Sequence, residues 1–197
     1  MKINYLFAIL LLVLGCKEGP KQDALATEAG KTEQSTETTK ATAQDLKQNG
    51  DYSSFFNHPD CKVITAEELS TVLGLSFVDM NLKNACSFKS QLTKDKTWYL
   101  SVMLNDMSKS DIQREIDSYK SDETGLLAWQ TSETGDTYLC NQHSHGYLSI
   151  YNPMYNRSAL IRYGSVAESR GFTAEERLQH RDMALKLANA LLKKHQK

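Results

Sequence analysis

The chain has 197 residues, with 23 lysines and arginines against 24 aspartates and glutamates, and a formal net charge of −1. A balance this close to neutral carries no electrostatic footprint for nucleic acid, so no nucleic-acid partner is expected. After the first fifteen residues, every Phe, Tyr and Trp lies at Tyr52 or beyond, which divides the sequence into regions of different character.

The first region is Met1 to Gly15. Lys2 is its only charged side chain, and Leu6-Phe7-Ala8-Ile9-Leu10-Leu11-Leu12-Val13-Leu14 is an unbroken apolar run. A bilayer span takes about 20 apolar residues, so this run is too short for a stable transmembrane helix. A basic start, a short apolar core and a small residue before a cut site mark an export signal instead. Val13-Leu14-Gly15-Cys16 resembles the lipobox of bacterial lipoproteins. The resemblance implies cleavage before Cys16, diacylation of its sulfur and acylation of the new amino terminus. Three acyl chains exceed the two signals that stable anchoring takes, so a membrane is the expected partner of this end. Lys17 stands where the resembled pathway uses Asp to retain proteins at the inner membrane. The expected address is the bacterial cell envelope, at the outer membrane.

Residues 16–51 read as a tether. Lys, Glu, Thr, Gln, Ala and Ser dominate it, and Leu25 and Leu46 are the only large aliphatic residues between Lys17 and Gly50. Such a segment buries too little apolar surface to offset its conformational entropy and is expected to stay disordered. As a flexible coil it would reach about 30 Å, enough to hold a domain clear of lipid headgroups.

Residues 52–197 read as one globular domain, long enough for a sizeable core. Thr65-Ala66-Glu67-Glu68 is a capping box, Leu69, Val72 and Leu73 form an apolar stripe, and Gly74 supplies the stop. Ala85 to Gln91 reads as a short strand. In Trp98 to Leu104 the set Trp98, Leu100, Val102 and Leu104 alternates with Tyr99, Ser101 and Met103, as a strand requires. Ser108 or Ser110 opens a second helix on Ile112, Ile116 and Tyr119. Strands are expected at Leu126–Ser132, Thr137–Gln142, Tyr147–Tyr151 and Ser158–Tyr163, and the short links among the last three join antiparallel neighbours. A second capping box, Thr173-Ala174-Glu175-Glu176, starts the longest helix, which ends in Lys193-Lys194-His195, where the helix dipole favours cations. Helices segregated from an antiparallel run predict an α+β fold with the helices packed on one face of the sheet.

With Cys16 assigned to lipid, Cys61, Cys86 and Cys140 remain in a compartment that permits disulfides, which suggests one bridge and one free thiol. Pro59-Asp60-Cys61-Lys62-Val63-Ile64-Thr65-Ala66-Glu67-Glu68-Leu69, Leu73-Gly74, Cys86-Ser87-Phe88 and Gly135-Asp136 resemble a broad group of small bacterial lipoprotein and sensor domains. That group includes the domain-of-unknown-function family 3558 and the extracytoplasmic sensor domains of certain membrane kinases. The resemblance implies a Cys61–Cys86 bridge and a role in sensing a ligand or partner, with no catalytic residues; a Cys86–Cys140 bridge between two strands is the competing pairing.

Chemistry-bearing clusters are few. Cys140, His143 and His145 have ligand types suited to zinc or copper, but they fall on an expected hairpin tip with no second cluster to complete four ligands. Cys140 as a nucleophile would need a lowered thiol pKa and an orienting group, neither of which one strand supplies. No phosphate-cradling glycine loop or serine elbow is present, and the paired glutamates lie in capping boxes, so no enzyme and no cofactor is expected. The expectation is therefore a binding module for a small ligand or protein, with a metal-handling lipoprotein as the alternative. Its surface follows from alternation: Tyr99, Met103, Tyr147 and Tyr151 should share the sheet face turned away from the helices. For the anchor, Cys16→Ala should leave the protein unprocessed or soluble in the periplasm, read by fractionation and palmitate labelling. Membrane fractionation of the variant, with no label on the wild type, would exclude lipidation.

Overall fold

A computed structural model describes residues 50–82, 86–142, 144–164 and 171–197, all within the compact unit Lys40–Lys197. The anchor residue Cys16 and most of the tether lie outside the described residues. Among those described, no helix is long and apolar enough to cross a membrane.

The element order is α1 (Ser53–Phe56), α2 (Ala66–Leu73), β1 (Val78–Asp79), β2 (Cys86–Thr93), β3 (Lys96–Asp106), α3 (Lys109–Lys120), β4 (Leu127–Thr131), β5 (Tyr138–Gln142), β6 (Tyr147–Tyr151), β7 (Arg157–Arg162) and α4 (Ala174–His195). The fold is α+β. Both capping boxes form as expected: Thr65 and Thr173 accept from the backbone amides of Glu68 and Glu176, whose carboxylates accept back from the capping backbone. The second helix starts from Ser108, whose hydroxyl accepts from the Asp111 amide. Gly74 ends α2 at φ +72°, a left-handed conformation that suits glycine.

One seven-stranded sheet runs β1-β2-β3-β7-β6-β5-β4, and every neighbouring pair is antiparallel. Two meanders, β1–β3 and β4–β7, therefore meet at the β3–β7 pair, where Met103 lies opposite Leu160 and Leu104 opposite Ala159. The β5–β6 turn is pinned at Gly146, which has φ +63°, and a Cβ there would come within 1.1 Å of the Gly164 carbonyl oxygen. That carbonyl's neighbours Tyr163 and Gly164 both donate to the Gly146 oxygen, so the turn is sealed onto the end of β7.

The main core lies on one face. Phe88, Trp98, Leu100, Val102, Leu139, Leu148, Ile150 and Ile161 from the sheet pack against Phe55 and Phe56 of α1, Leu69 and Leu73 of α2, and Leu187, Leu191 and Leu192 of α4. Full burial of each large side chain contributes roughly 2 kcal/mol. Trp98 is the largest of the fully buried side chains; its indole donates to the Tyr163 carbonyl at 2.7 Å and its ring stacks on His180 at 4.4 Å. Burial in this aromatic stack lowers the His180 pKa, so the ring sits there neutral. Cys61 and Cys86 are bridged with Cα atoms 5.5 Å apart, stapling the segment before α2 to the start of β2. Closing that loop stabilises by about 3 kcal/mol, chiefly by restricting the unfolded chain.

The structure corrects two expectations. The helices do not all share one face: α3 packs on the opposite side, where Ile112, Ile116 and Tyr119 meet Tyr138, Cys140 and Tyr151. The cause is connectivity, because the chain must pass from β3 to the far edge strand β4, and α3 makes that crossing. The folded domain also begins before Tyr52. Gly50 donates to Asp136 Oδ2 at 2.9 Å and Asp51 accepts from the Lys197 amide at 3.0 Å, so both belong to the domain and not to the tether.

Asp136 is fully buried and accepts from the Tyr52 hydroxyl at 2.8 Å, from Thr134 at 2.7 Å and from Thr137 at 3.1 Å, besides Gly50. Burial pushes the Tyr52 phenol up to about 12, so it stays a donor. Removing the carboxylate strands these donors in the core. Asp136→Ala should cost about 3 kcal/mol in urea unfolding, and Tyr52→Phe about 1 kcal/mol. Equal, small losses in the two variants would show that the network adds nothing.

Candidate functional site: a tyrosine-lined cleft beside α3

On the α3 side, the sheet presents rows of residues set by register. One row runs Trp129, Cys140, Ser149, Leu160 and Met103 across β4, β5, β6, β7 and β3; the next runs Gln142, Tyr147, Arg162 and Ser101 across β5, β6, β7 and β3. α3 covers the part of this face nearest β4 and β5. Where its cover stops, a cleft of about 420 Å³ opens, lined by Met107, Glu115 and Tyr119 on one wall and by Tyr147, Ser149 and Tyr151 on the sheet floor, with Asn105, Asp106, Ser158 and Leu160 completing it. A second depression of about 310 Å³ lies toward β1–β3 and includes Met80, Leu82, Tyr99, Met103 and Arg162. Met103 of the second lies opposite Leu160 of the first across the β3–β7 pair.

The four expected surface residues thus share a face, but not a common exposure. Tyr99 is 46% exposed and Met103 half-buried in the second depression, while Tyr147 is half-buried on the floor of the first. Tyr151 is only 7% exposed, because its ring packs into the minor core under α3. Its assignment to an uncovered face is therefore corrected, and one edge of it still lines the cleft. Tyr147 donates its hydroxyl to Gln142 Oε1, which holds the ring in place.

The cleft is electrostatically distinctive. Burial raises the pKa of Tyr119, Tyr147 and Tyr151, the last to about 12, and the Glu115 carboxylate adds to the effect on all three. All three phenols are neutral at ordinary pH. Asp106 is matched by the Arg157 guanidinium at 2.7 Å, whereas Glu115, half-buried on α3, makes no hydrogen bond or ion pair among the described residues. Sequence reasoning placed Tyr119 on the apolar stripe of this helix but not in a cleft, and did not single out Glu115. The signal was available in the spacing, since positions 115 and 119 fall on one face of a helix.

The described members of the alternative metal set, Cys140 and His145, sit in different surroundings. Cys140 is fully buried beneath α3, and burial drives its thiol pKa well above the usual range, the opposite of what a thiolate ligand or nucleophile needs. His145 is exposed on the β5–β6 turn, its Nδ1 2.9 Å from the Ser144 hydroxyl, and His143 lies outside the described residues. Among the described residues no group of three or more His, Cys, Asp or Glu could hold a metal ion.

Comparison with family models, curated proteins and solved structures finds no match to this chain. The cleft must be read from its own chemistry.

The burial difference gives a direct check. Tyr151→Ala should lower stability by about 3 kcal/mol as a core truncation, while Tyr99→Ala should stay within about 0.5 kcal/mol. Equal effects in thermal unfolding would contradict the partial cover of this face.

Proposed function

We propose that this protein is a lipid-anchored, non-enzymatic binding module of the bacterial cell envelope, held at the outer membrane through Cys16, with the α3-side sheet face as its ligand or partner surface. The observation that carries the reading is the tyrosine-lined cleft beside α3, on the same sheet face as the depression around Tyr99 and Met103. Tyrosine and methionine are enriched at binding surfaces because they bring large contact area with little conformational freedom to lose. The supports for a non-catalytic role are chemical: the one free cysteine among the described residues is buried and protonated, and the tyrosines are held neutral. The lipobox resemblance at Val13-Leu14-Gly15-Cys16 supports the anchor and the export route.

The test keeps Tyr151 intact, because truncating it would confuse stability with binding. A Tyr99→Ala/Tyr147→Ala double variant, with the full chain displayed on envelope membranes, should lose capture of the bound species at least thirtyfold. Its melting temperature should move by only a few degrees. Undiminished capture by this folded variant would remove the sheet face from consideration as the binding surface.

A further inference from the structure

The cleft beside α3 combines three features that point to one ligand chemistry. Three tyrosines line it: Tyr147, half-buried with part of its ring open to the cleft, and Tyr119 and Tyr151, which are almost fully buried and form the wall behind it. Glu115 stands among them with its charge unmatched by any described residue. No lysine or arginine among the described residues lines the cleft. The nearby cations are placed elsewhere: Arg162 lines the neighbouring depression, and Arg157 is engaged with Asp106 and with the carbonyls of Phe56 and His58.

The same face also shows what such a surface does with a cation. One step along the sheet, Tyr138 is the cross-strand partner of Tyr151. Over Tyr138 sits the Lys120 ammonium, 4.3 Å from the ring centroid, 2.9 Å from its hydroxyl and 5.4 Å from the Trp129 centroid. The chain thus fills the aromatic site nearest β4 with its own lysine. The adjacent site, lined by Tyr147, Tyr119 and Tyr151, has a carboxylate and no lysine among the described residues.

We propose that the cleft beside α3 binds an organic cation, an alkylammonium or guanidinium group, seated against the Tyr147 ring, with Tyr119 and Tyr151 as the wall behind it, and balanced by Glu115. Aromatic faces attract a cation through the ring quadrupole, and the attraction strengthens where the site is partly dry. The half-buried carboxylate supplies the long-range part, and Ser149 and Ser158 on the floor can accept hydrogen bonds from an N–H donor. The volume of about 420 Å³ suits a headgroup or one side chain and not a folded partner. This assignment rests on the reading of the sheet face as a binding surface. Two sources share the chemistry: a free small ammonium compound, or a lysine or arginine side chain offered by a peptide.

The experiment titrates the full chain in detergent with choline, with the methylamides of N-acetyl-lysine and N-acetyl-arginine, and with 3,3-dimethylbutanol, the neutral isostere of choline. Ring resonances of Tyr119, Tyr147 and Tyr151 are followed by NMR. Choline or one of the methylamides should shift these rings, with affinity at least tenfold above that of the neutral alcohol. The tighter class then identifies the source, choline for a free ammonium compound and a methylamide for a peptide side chain. Glu115→Gln should weaken the cation about tenfold with an unchanged melting temperature, since Glu115 makes no hydrogen bond or ion pair with any described residue. Tyr147→Phe, which keeps the ring, should stay within about twofold, whereas Tyr147→Leu should weaken binding about tenfold. Equal binding of the neutral alcohol, or indifference to Glu115→Gln, would overturn the cation assignment while leaving the binding face in place. Absence of any ring shift with every cation would also overturn it, and the Tyr99/Tyr147 capture experiment would then decide the face independently.

Discussion

A sheet assembled from two meanders has to carry its chain from β3, in the middle, to β4, at the far edge. α3 makes that journey across one face, and everything distinctive about the molecule follows from its shortness. Seven strands span about 29 Å at ordinary strand spacing. A helix of 12 residues is about 18 Å long and about 10 Å wide, so it can roof only part of such a surface. The opposite face has no such shortfall, because the 22-residue α4 lies along it with α1 and α2 beside it. The result is a domain with a complete core on one side and a half-built one on the other. The cleft is the boundary where the roof ends.

This asymmetry separates the tasks of the two faces. The larger core lies on the α4 side, with its Trp98–His180 stack, its disulfide staple and the Asp136 network at one corner. Residues on the floor of the cleft hold lighter structural duties, apart from Tyr151, which belongs to both sides of the boundary. Tyr147 and Glu115 are only half-buried and carry little of that packing. A buried tyrosine beside an accessible one is how this sheet joins a rigid support to an open surface.

Much of the secondary structure was legible in the sequence because its signals are local. Thr65 and Thr173 announce their helices through side chains that close back onto their own first turn, and β6 matches the expected Tyr147–Tyr151 in full. α1 escaped notice because four residues without a capping side chain leave no periodic trace, and β1 is only two residues long. The β3–β7 pairing was out of reach, since contact between Met103 and Leu160 depends on elements far along the chain. The side taken by α3 did have a trace. In β5, Tyr138, Leu139, Cys140 and Asn141 are all buried, and consecutive apolar residues mark a strand covered on both faces. Alternation alone put Tyr99, Met103, Tyr147 and Tyr151 on one face, as the register does, but exposure is decided by what arrives from elsewhere in the chain.

The corner at Asp136 has a mechanical meaning. Gly50 is bonded to Asp136, Asp51 receives the Lys197 amide, and Tyr52 is rooted by both its backbone amide, which donates to Tyr155, and its hydroxyl. Any tension arriving along the chain from before Gly50 is met first by these few bonds, one after another, and not by the strands. Such a joint peels in sequence instead of resisting in parallel. It would yield under modest load by unfastening Gly50 and Asp51 first. Tyr52, inserted in the core and bonded to a buried carboxylate, is the peg at which that unfastening stops.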